Sequence, residues 1–541
     1  MTTDGAAADV SNDRPHECRA TRVRRRVREI DPTWFVLLGL LAVPGFLVES
    51  LAFMQVFVLF FLWPFVEPVL DLALKRRADE ETEPTDWIHM GDWREWVVAY
   101  LSMPLTFLNP LTLAQDGLQL LGSAVASVRH RGSVPAPEDD RSTAYRPPVA
   151  GTWTVVNGSL EKEYSHSWLP LTQRYAYDFV ITDDDGRSRP EGTAPAVEAY
   201  YCYDEPVLAP ADGVVVDVLD TDLEPSRGGG FSHPLKRDIR GNYVTIQHAP
   251  DEFSCLAHLV PGSVAVEPGE RVERGQRVGR CGHSGSSSEP HLHVQFQEHP
   301  TFETAAGVPV RFEGVSVESP WLDDDGSAQA EADGEASEPA IAGSVPGPAD
   351  ESIEADGDGG VAITAGQRIT VDEPPARTTD GGASLTADAA PGPATGDVPN
   401  AAADERDRTS TAAMGIGSGP RSRVVAGLEL LAFGTIASGV LIVLATIAAG
   451  LAGVALGPLE LAAVLAVAAL AGLGWRFAVD GDERVARPGW FGAPLGFALV
   501  AALWAGLPSV RSPSTLLVVG VAAYVLIAEY DRRSLRRAFE D

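Results

Sequence analysis

Apolar positions bunch near the two ends of the chain, and a different texture fills the middle. Residues 33–66 run apolar with a single charge, Glu49, and are interrupted at Pro44 and Gly45. One spanning helix needs only ~20 apolar residues. The stretch therefore predicts a transmembrane hairpin at 33–72, with spans near 33–48 and 51–70. It lacks the small-residue cleavage site of a signal peptide. A second block, 423–531, divides at Pro458, at the polar loop 476–489 and at Pro508 to Pro513 into four predicted spans. Between the blocks, residues 97–114 carry no charge but include Pro104, Asn109 and Pro110. They predict an interfacial helix pair within an amphipathic region, 73–140.

From 141 to 320 the pattern changes to short β-branched runs punctuated by Gly, Pro and Asp. The runs are 151–156, 177–181, 214–219, 243–246 and 291–297. No helix-period stretch of useful length intervenes, so a mostly antiparallel β domain is predicted, flanked by α-helical transmembrane segments. Residues 206–216 read as strand, tight turn, strand, with Gly213 at a turn position needing positive φ. Residues 321–420 hold 20 acidic and four basic side chains and one aromatic, Trp321, without periodicity. Such a run buries too little apolar surface to offset ordering entropy, and 321–422 is predicted to be a disordered acidic linker.

Charge sets the expected topology. Arginines crowd the N-terminal arm 1–32, the flanks of the C-terminal block, its middle loop and the tail 532–541. The positive-inside rule then places a multi-pass protein in the cell membrane with its soluble domain on the cytoplasmic side. The formal net charge of −33 and the lack of basic clusters in the soluble domain exclude a nucleic-acid partner. Three lysines against 39 arginines, with acid spread over every soluble stretch, look like the protein composition of an extreme halophile. Such a surface keeps a protein hydrated in concentrated salt and is not read as function. Cys202, Cys255 and Cys281 lie in the domain and Cys18 before the membrane, with no zinc-cluster or disulfide-framework spacing.

Histidines carry the candidate chemistry. Six of the eleven (His248, His258, His283, His291, His293 and His299) fall within 52 residues. On a strand, His291 and His293 point to the same face, so both imidazoles can enter one cleft. Two such histidines and a distant carboxylate make a zinc site with an open position. A glycine-rich loop from Gly279 leads into this pair. His248 reads as a packed strand end and His283 as loop surface.

With these residues in order, the stretch 151–315 resembles the lysostaphin-like, LytM-type zinc metallopeptidases. The landmarks are Tyr177-Asp178-Phe179, Ala209 to Gly213, Gly241 to Val244, Ala257-His258-Leu259, Val272 to Val278 and Pro290-His291-Leu292-His293. The resemblance implies a lysostaphin-like β-sheet core, hydrolysis of a peptide bond by metal-activated water, and Zn2+ held by a histidine, Asp178 and His293. It implies that His258 and His291 handle protons and developing oxyanion charge. The family's first ligand lies four residues before the aspartate, where this chain has Arg174, which cannot ligate a metal. The nearest upstream histidine is His166, the expected replacement.

The expectation is thus a membrane-anchored zinc metalloendopeptidase acting on a peptide or protein, with an envelope polymer among the candidate substrates and the lipid bilayer as its other partner. The alternative is a degenerate domain serving as a binding or regulatory module. A transporter is disfavoured, because the ionisable residues of the C-terminal spans, Glu429 and Glu460, lie near span ends.

Overall fold

The computed structural model describes residues 108–133, 143–320, 360–372, 423–479 and 513–540 almost without interruption, with shorter pieces, chiefly 33–42 and 49–63, among residues 23–97 and at 498–502. Eleven strands carry the domain: β1 Gly151–Asn157, β2 Tyr177–Val180, β3 Pro206–Leu208, β4 Gly213–Leu219, β5 Asn242–Ala249, β6 Glu252–Leu259, β7 Arg271–Val272, β8 Arg277–Arg280, β9 Leu292–Gln297, β10 Val315–Glu318 and β11 Arg368–Val371. Nine form one sheet in the order β10-β11-β1-β2-β9-β6-β5-β4-β7, and β3 pairs with β8 in a second. Every pairing is antiparallel.

Alternation along the central strands separates two faces. Tyr177 and Phe179 of β2, Val244 and Ile246 of β5, Leu256 of β6, and Leu292, Val294 and Phe296 of β9 enter the apolar core. The alternate residues on β2 and β9, Asp178, His293, Gln295 and Gln297, are polar and yet also buried. A polar face can be buried only where its groups find partners. Here the covering comes from loops and from the helix Pro110–Arg129.

The helices are α1 Thr33–Leu40, α2 Pro110–Arg129, α3 Arg423–Leu451, α4 Pro458–Val479 and α5 Pro513–Glu540, with a 3-10 helix at Glu49–Leu62. α2 begins where Asn109 accepts from Leu111 N at 3.0 Å and Pro110 occupies the first turn. The Asn109 amide also donates to the carbonyls of Pro234 and Lys236, which ties the helix start to the β domain. From α2, Gln115 donates to Glu303, Ser123 Oγ accepts from Leu171 N, and Arg129 pairs with both Glu298 and Glu529. α5 adds Tyr524 OH to Glu303 Oε2 at 2.7 Å, and its Arg532 and Arg536 pair with Asp251.

The structure departs from the sequence reading in four places. Residues 360–372 fall inside the expected linker, yet β11 inserts between β1 and β10, burying Ile369 and Val371. Residues 206–216 form no hairpin, since β3 and β4 belong to different sheets. Gly213 does not have positive φ; a Cβ there would lie 2.5 Å from Gln247 O, so close approach to β5 selects the glycine. Residues 110–114, expected at a membrane interface, begin a helix docked on the domain. Most of the region before it, 98–107, lies outside the described residues.

Among the described residues, Val424–Leu451 and Pro513–Glu540 are long and apolar enough to cross a membrane, by length and composition alone. Of the expected hairpin at 33–72, the described residues include an 8-residue helix and the 14-residue 3-10 helix. Most of the predicted span between α4 and α5 is outside the described residues.

Two glycines of α2 test how tightly the helix is seated. A Cβ on Gly122 would lie 1.8 Å from Glu303 O, whereas one on Gly117 meets nothing within 4 Å. Gly122→Ala is expected to destabilise the docked helix by ~1–3 kcal/mol, as overpacking does. Gly117→Ala is expected to be neutral or stabilising by ~0.5–1 kcal/mol. Hydrogen exchange across 110–129 in the two variants reads the difference.

Candidate metal centre

Cross-strand register brings the polar groups together. Asp178 on β2 lies directly opposite His293 on β9, and His293 lies opposite Ala257 on β6. Directly opposed residues share a face, so Asp178, His293 and Ala257 make one row. By strict alternation His258 would turn into the core with Leu256. Its backbone is instead left-handed, with φ 60°. That uncommon conformation for a non-glycine residue carries the imidazole back over the row, with ring centroids 4.7 Å from His291 and 5.7 Å from His293.

His166 arrives by a different route. Asn157 ends β1 opposite Asp178 and anchors the next loop, accepting from His166 N at 3.0 Å and donating to Ser167 Oγ at 2.9 Å. This sets His166 Nε2 3.7 Å from Asp178 Oδ2, although the side chain is 75% exposed. Arg174 turns elsewhere: it pairs with Asp31 at 2.8 Å and lies over the Trp168 ring. All five predicted site residues, His166, Asp178, His258, His291 and His293, line one cavity of about 780 Å³.

Hydrogen bonds to the far ring nitrogens assign the tautomers. His258 Nδ1 meets Ser284 O at 2.8 Å and His291 Nδ1 meets Glu289 O at 2.8 Å. A carbonyl only accepts, so each Nδ1 carries the proton and each Nε2 keeps a lone pair. Burial, with repulsion from His291 and His293, holds His258 well below the usual imidazole range, and burial likewise lowers His291. Both are therefore neutral proton acceptors near pH 7.

Interlocked glycines place Ser284. Gly241 and Gly285 both have positive φ, and a Cβ on Gly241 would lie 2.3 Å from the Ser284 carbonyl carbon. Ser284 Oγ then donates to Leu259 O and accepts from Asn242 N. The glycine-rich loop thus serves to aim one carbonyl at His258.

His293 is wired the opposite way. Its Nε2 faces Gln295 Oε1 at 3.3 Å, while the Gln295 amide is engaged with Thr172 and Gln297. Neutral His293 thus places its proton on Nε2 and turns the Nδ1 lone pair toward Asp178 Oδ1, 2.7 Å away. Two acceptors at that distance require a proton or a cation between them. With a proton there, burial disfavours the His293 charge, but Asp178 outweighs it by attraction and hydrogen bonding and raises the pKa. With a metal ion, Asp178 and His293 are a ready pair of ligands. Ligand-capable atoms of His258, His291 and His293 also lie within 4.8 Å of one another. The donor set fits a zinc-like ion, and the two candidate ligand sets share His293.

One side chain expected to be peripheral is not. His283 is fully buried rather than loop surface; it is bonded to Ser287 Oγ and Phe231 O and braces the loop before His291. Gln295, which sets the His293 tautomer, follows from the same two-residue alternation that unites His291 and His293. His248 is packed, bonded to Asp212 O and Ser254 Oγ. Cys202, Cys255 and Cys281 are buried free thiols, and Cys18 lies outside the described residues.

Residues 195–303 match the model of the family described as Peptidase family M23. This range contains His258, His291 and His293 and begins after Asp178 and His166. The peptidoglycan DD-endopeptidase ShyA of Vibrio cholerae is 36% identical over 90 residues, 17% of this chain and 17% of that protein. A protein of Haemophilus influenzae named as an uncharacterized metalloprotease is 32% identical over 111 residues, 20% of this chain and 19% of that protein. The chain thus covers less than a fifth of the length of these curated relatives. A zinc-containing peptidase from Vibrio cholerae, a solved structure, is 20% identical with a TM-score of 0.19, over 30% of this chain and 39% of that one.

Proposed function

We propose that the chain is a membrane-anchored, zinc-dependent metalloendopeptidase. The observation that carries this reading is the facing pair of acceptors, Asp178 Oδ1 and His293 Nδ1, in a cavity also lined by His166, His258 and His291. In this reading His166, Asp178 and His293 hold the metal. When bound, zinc supplies Lewis-acid polarisation of a peptide carbonyl and acidifies water to a pKa of ~7. His258 and His291 present Nε2 to the cavity as proton acceptors, their rings fixed by Ser284 and Glu289 carbonyls. Either imidazole, once protonated, can stabilise developing oxyanion charge or return the proton to the leaving amine.

Peptide substrates are supported by the match to peptidase family M23, and a peptide-bearing envelope polymer by the printed name of the Vibrio cholerae relative. Membrane anchoring rests on α3, long and apolar enough to span; α5 meets the same test but is held against the domain from Tyr524 onward. The Arg532 and Arg536 pairs with Asp251 support a reading in which the domain shares a side with the basic end of α5. By the positive-inside rule that is the cytoplasmic side.

Elemental analysis of the purified chain tests the ligand set. Wild type is expected to hold one zinc per chain. His166→Ala is expected to weaken zinc binding at least about tenfold, the lower end of what loss of a supporting residue costs. Zinc retained at full affinity without His166 transfers the ligand role to His258 and His291. Wild type free of zinc after exposure to the metal moves the reading to a binding module.

A further inference from the structure

Glu289 immediately precedes Pro290 and His291, is 3% exposed and lines the same cavity as the histidines. Its Oε2 meets Ser188 Oγ at 3.4 Å, while its Oε1 is buried with no hydrogen-bond partner among the described residues. The neighbouring cation, Arg189, acts on Glu289 but is engaged elsewhere through both terminal nitrogens, its Nε being buried without a partner among the described residues. Its Nη2 donates to Glu95 Oε1 at 2.5 Å and its Nη1 to Tyr200 OH at 3.4 Å, with the guanidinium over the Tyr200 ring. Glu95 lines the cavity too, and its Oε2 is likewise buried without a partner among the described residues. Two carboxylates therefore share one guanidinium, and one buried acid lacks a counter-charge.

Local sequence builds this arrangement. Gly229 has φ +65° and a Cβ there would lie 3.0 Å from Glu95 Cδ; one on Gly228 would lie 2.8 Å from Tyr200 OH. The run of glycines, Gly228 to Gly230, admits both side chains. Glu289 itself is costly: burial, beside Glu95, raises its pKa to about 7 despite Arg189. A buried carboxyl with an unused oxygen destabilises a fold unless something completes it.

We propose that Glu289 and Glu95 form an acidic subsite that takes a primary ammonium group of the ligand occupying the histidine-lined cavity. An ammonium is compact, carries one charge and offers three donors. It supplies the missing counter-charge and the donors that the orphan oxygens lack. A neutral group of the same shape leaves both unpaired, so the subsite selects by charge. The inference rests on the peptidase reading only for what bears the ammonium, a basic side chain or a free amino terminus of a peptide.

Ligand-observed NMR on the full chain compares N-acetyl-lysine amide with its uncharged analogue N-acetyl-norleucine amide. The lysine derivative is expected to bind about tenfold tighter, the smaller end of the coupling seen for buried charge pairs. Glu289→Gln is expected to abolish the preference. Glu95→Gln releases Arg189 to neutralise Glu289 and is expected to reduce it, which keeps the test informative if the first variant misfolds. Equal binding of the two probes by wild type, or a preference surviving both substitutions, overturns the subsite. Zinc content and peptide hydrolysis in the same wild-type samples separate the two claims. A lysine preference without zinc or hydrolysis retains the subsite and sinks the peptidase reading; hydrolysis without the preference does the reverse.

Discussion

Asp178→Asn is expected to lose metal and hydrolysis together, each by at least about 100-fold, the upper range for residues that only support a ligand. Asp178 is the hub of the site: His293 Nδ1 lies 2.7 Å from its Oδ1, His291 Nε2 3.7 Å from that same oxygen, and His166 Nε2 3.7 Å from Oδ2. Burial alone would raise its pKa. Attraction to and a hydrogen bond with His293, helped by His291 and His166, hold the carboxyl well below its usual range. Asparagine keeps the shape and removes the charge on which all three imidazoles converge.

The same wiring fixes the pH dependence. Asp178 raises the pKa of His293, so in the metal-free protein the ion pair contributes stability fully present below ~6.5, the unfolded value for histidine, and lost as pH rises through the folded value. A metal must displace that proton. Zinc affinity is expected to rise with pH across this window in wild type and to lose the dependence in Asp178→Asn. Metal titrations at several pH values check this; an affinity falling with rising pH would refute the arrangement.

His258→Asn is expected to separate metal from catalysis, with zinc content unchanged and hydrolysis lowered by ~10²–10⁴, the usual worth of a general base or acid. Asparagine is chosen for the backbone: at φ 60° it tolerates the left-handed conformation better than most residues. Circular dichroism and thermal melting should be nearly unchanged, and single-turnover hydrolysis of a peptide substrate reads the chemical step. Loss of zinc along with activity would instead make His258 a ligand, in keeping with the alternative three-histidine set.

How much of this was legible in the sequence depended on the range of the interaction. The strands at 151–157, 177–180, 213–219, 242–249 and 292–297 were foreshadowed by β-branched runs, because one or both of their faces enter the core. The two-residue rule that united His291 and His293 holds although His291 lies one residue before β9, both side chains lining the same cavity. It fails at His258, where a single left-handed residue reverses the facing. No local pattern announces β11, whose four residues sit in an acidic, apolar-poor run and gain their order from β1 partners more than 200 residues away, as Val371 does opposite Gly151. His166 was reachable only by exclusion, once Arg174 was set aside. That Asn157 would tether its loop depends on a pairing between β1 and β2 invisible along the chain. His283 looked like loop surface because one of the groups that hold it, the Phe231 carbonyl, comes from a loop 52 residues away, while the other, Ser287, lies four residues on in its own loop.

β11 also has a mechanical consequence. By stitching residues 368–371 into the sheet, it anchors the long connection before α3 partway along its length. Meanwhile α2 and α5 grip the domain through Glu303, Glu298 and Asp251. If α3 sits in a bilayer, the histidine-lined cavity has a fixed working height above it, like a tool in a clamp rather than one on a rope. Adding residues on either side of β11 would leave that reach unchanged, because loop length costs little free energy. Loosening the clamp at Asp251 would extend it.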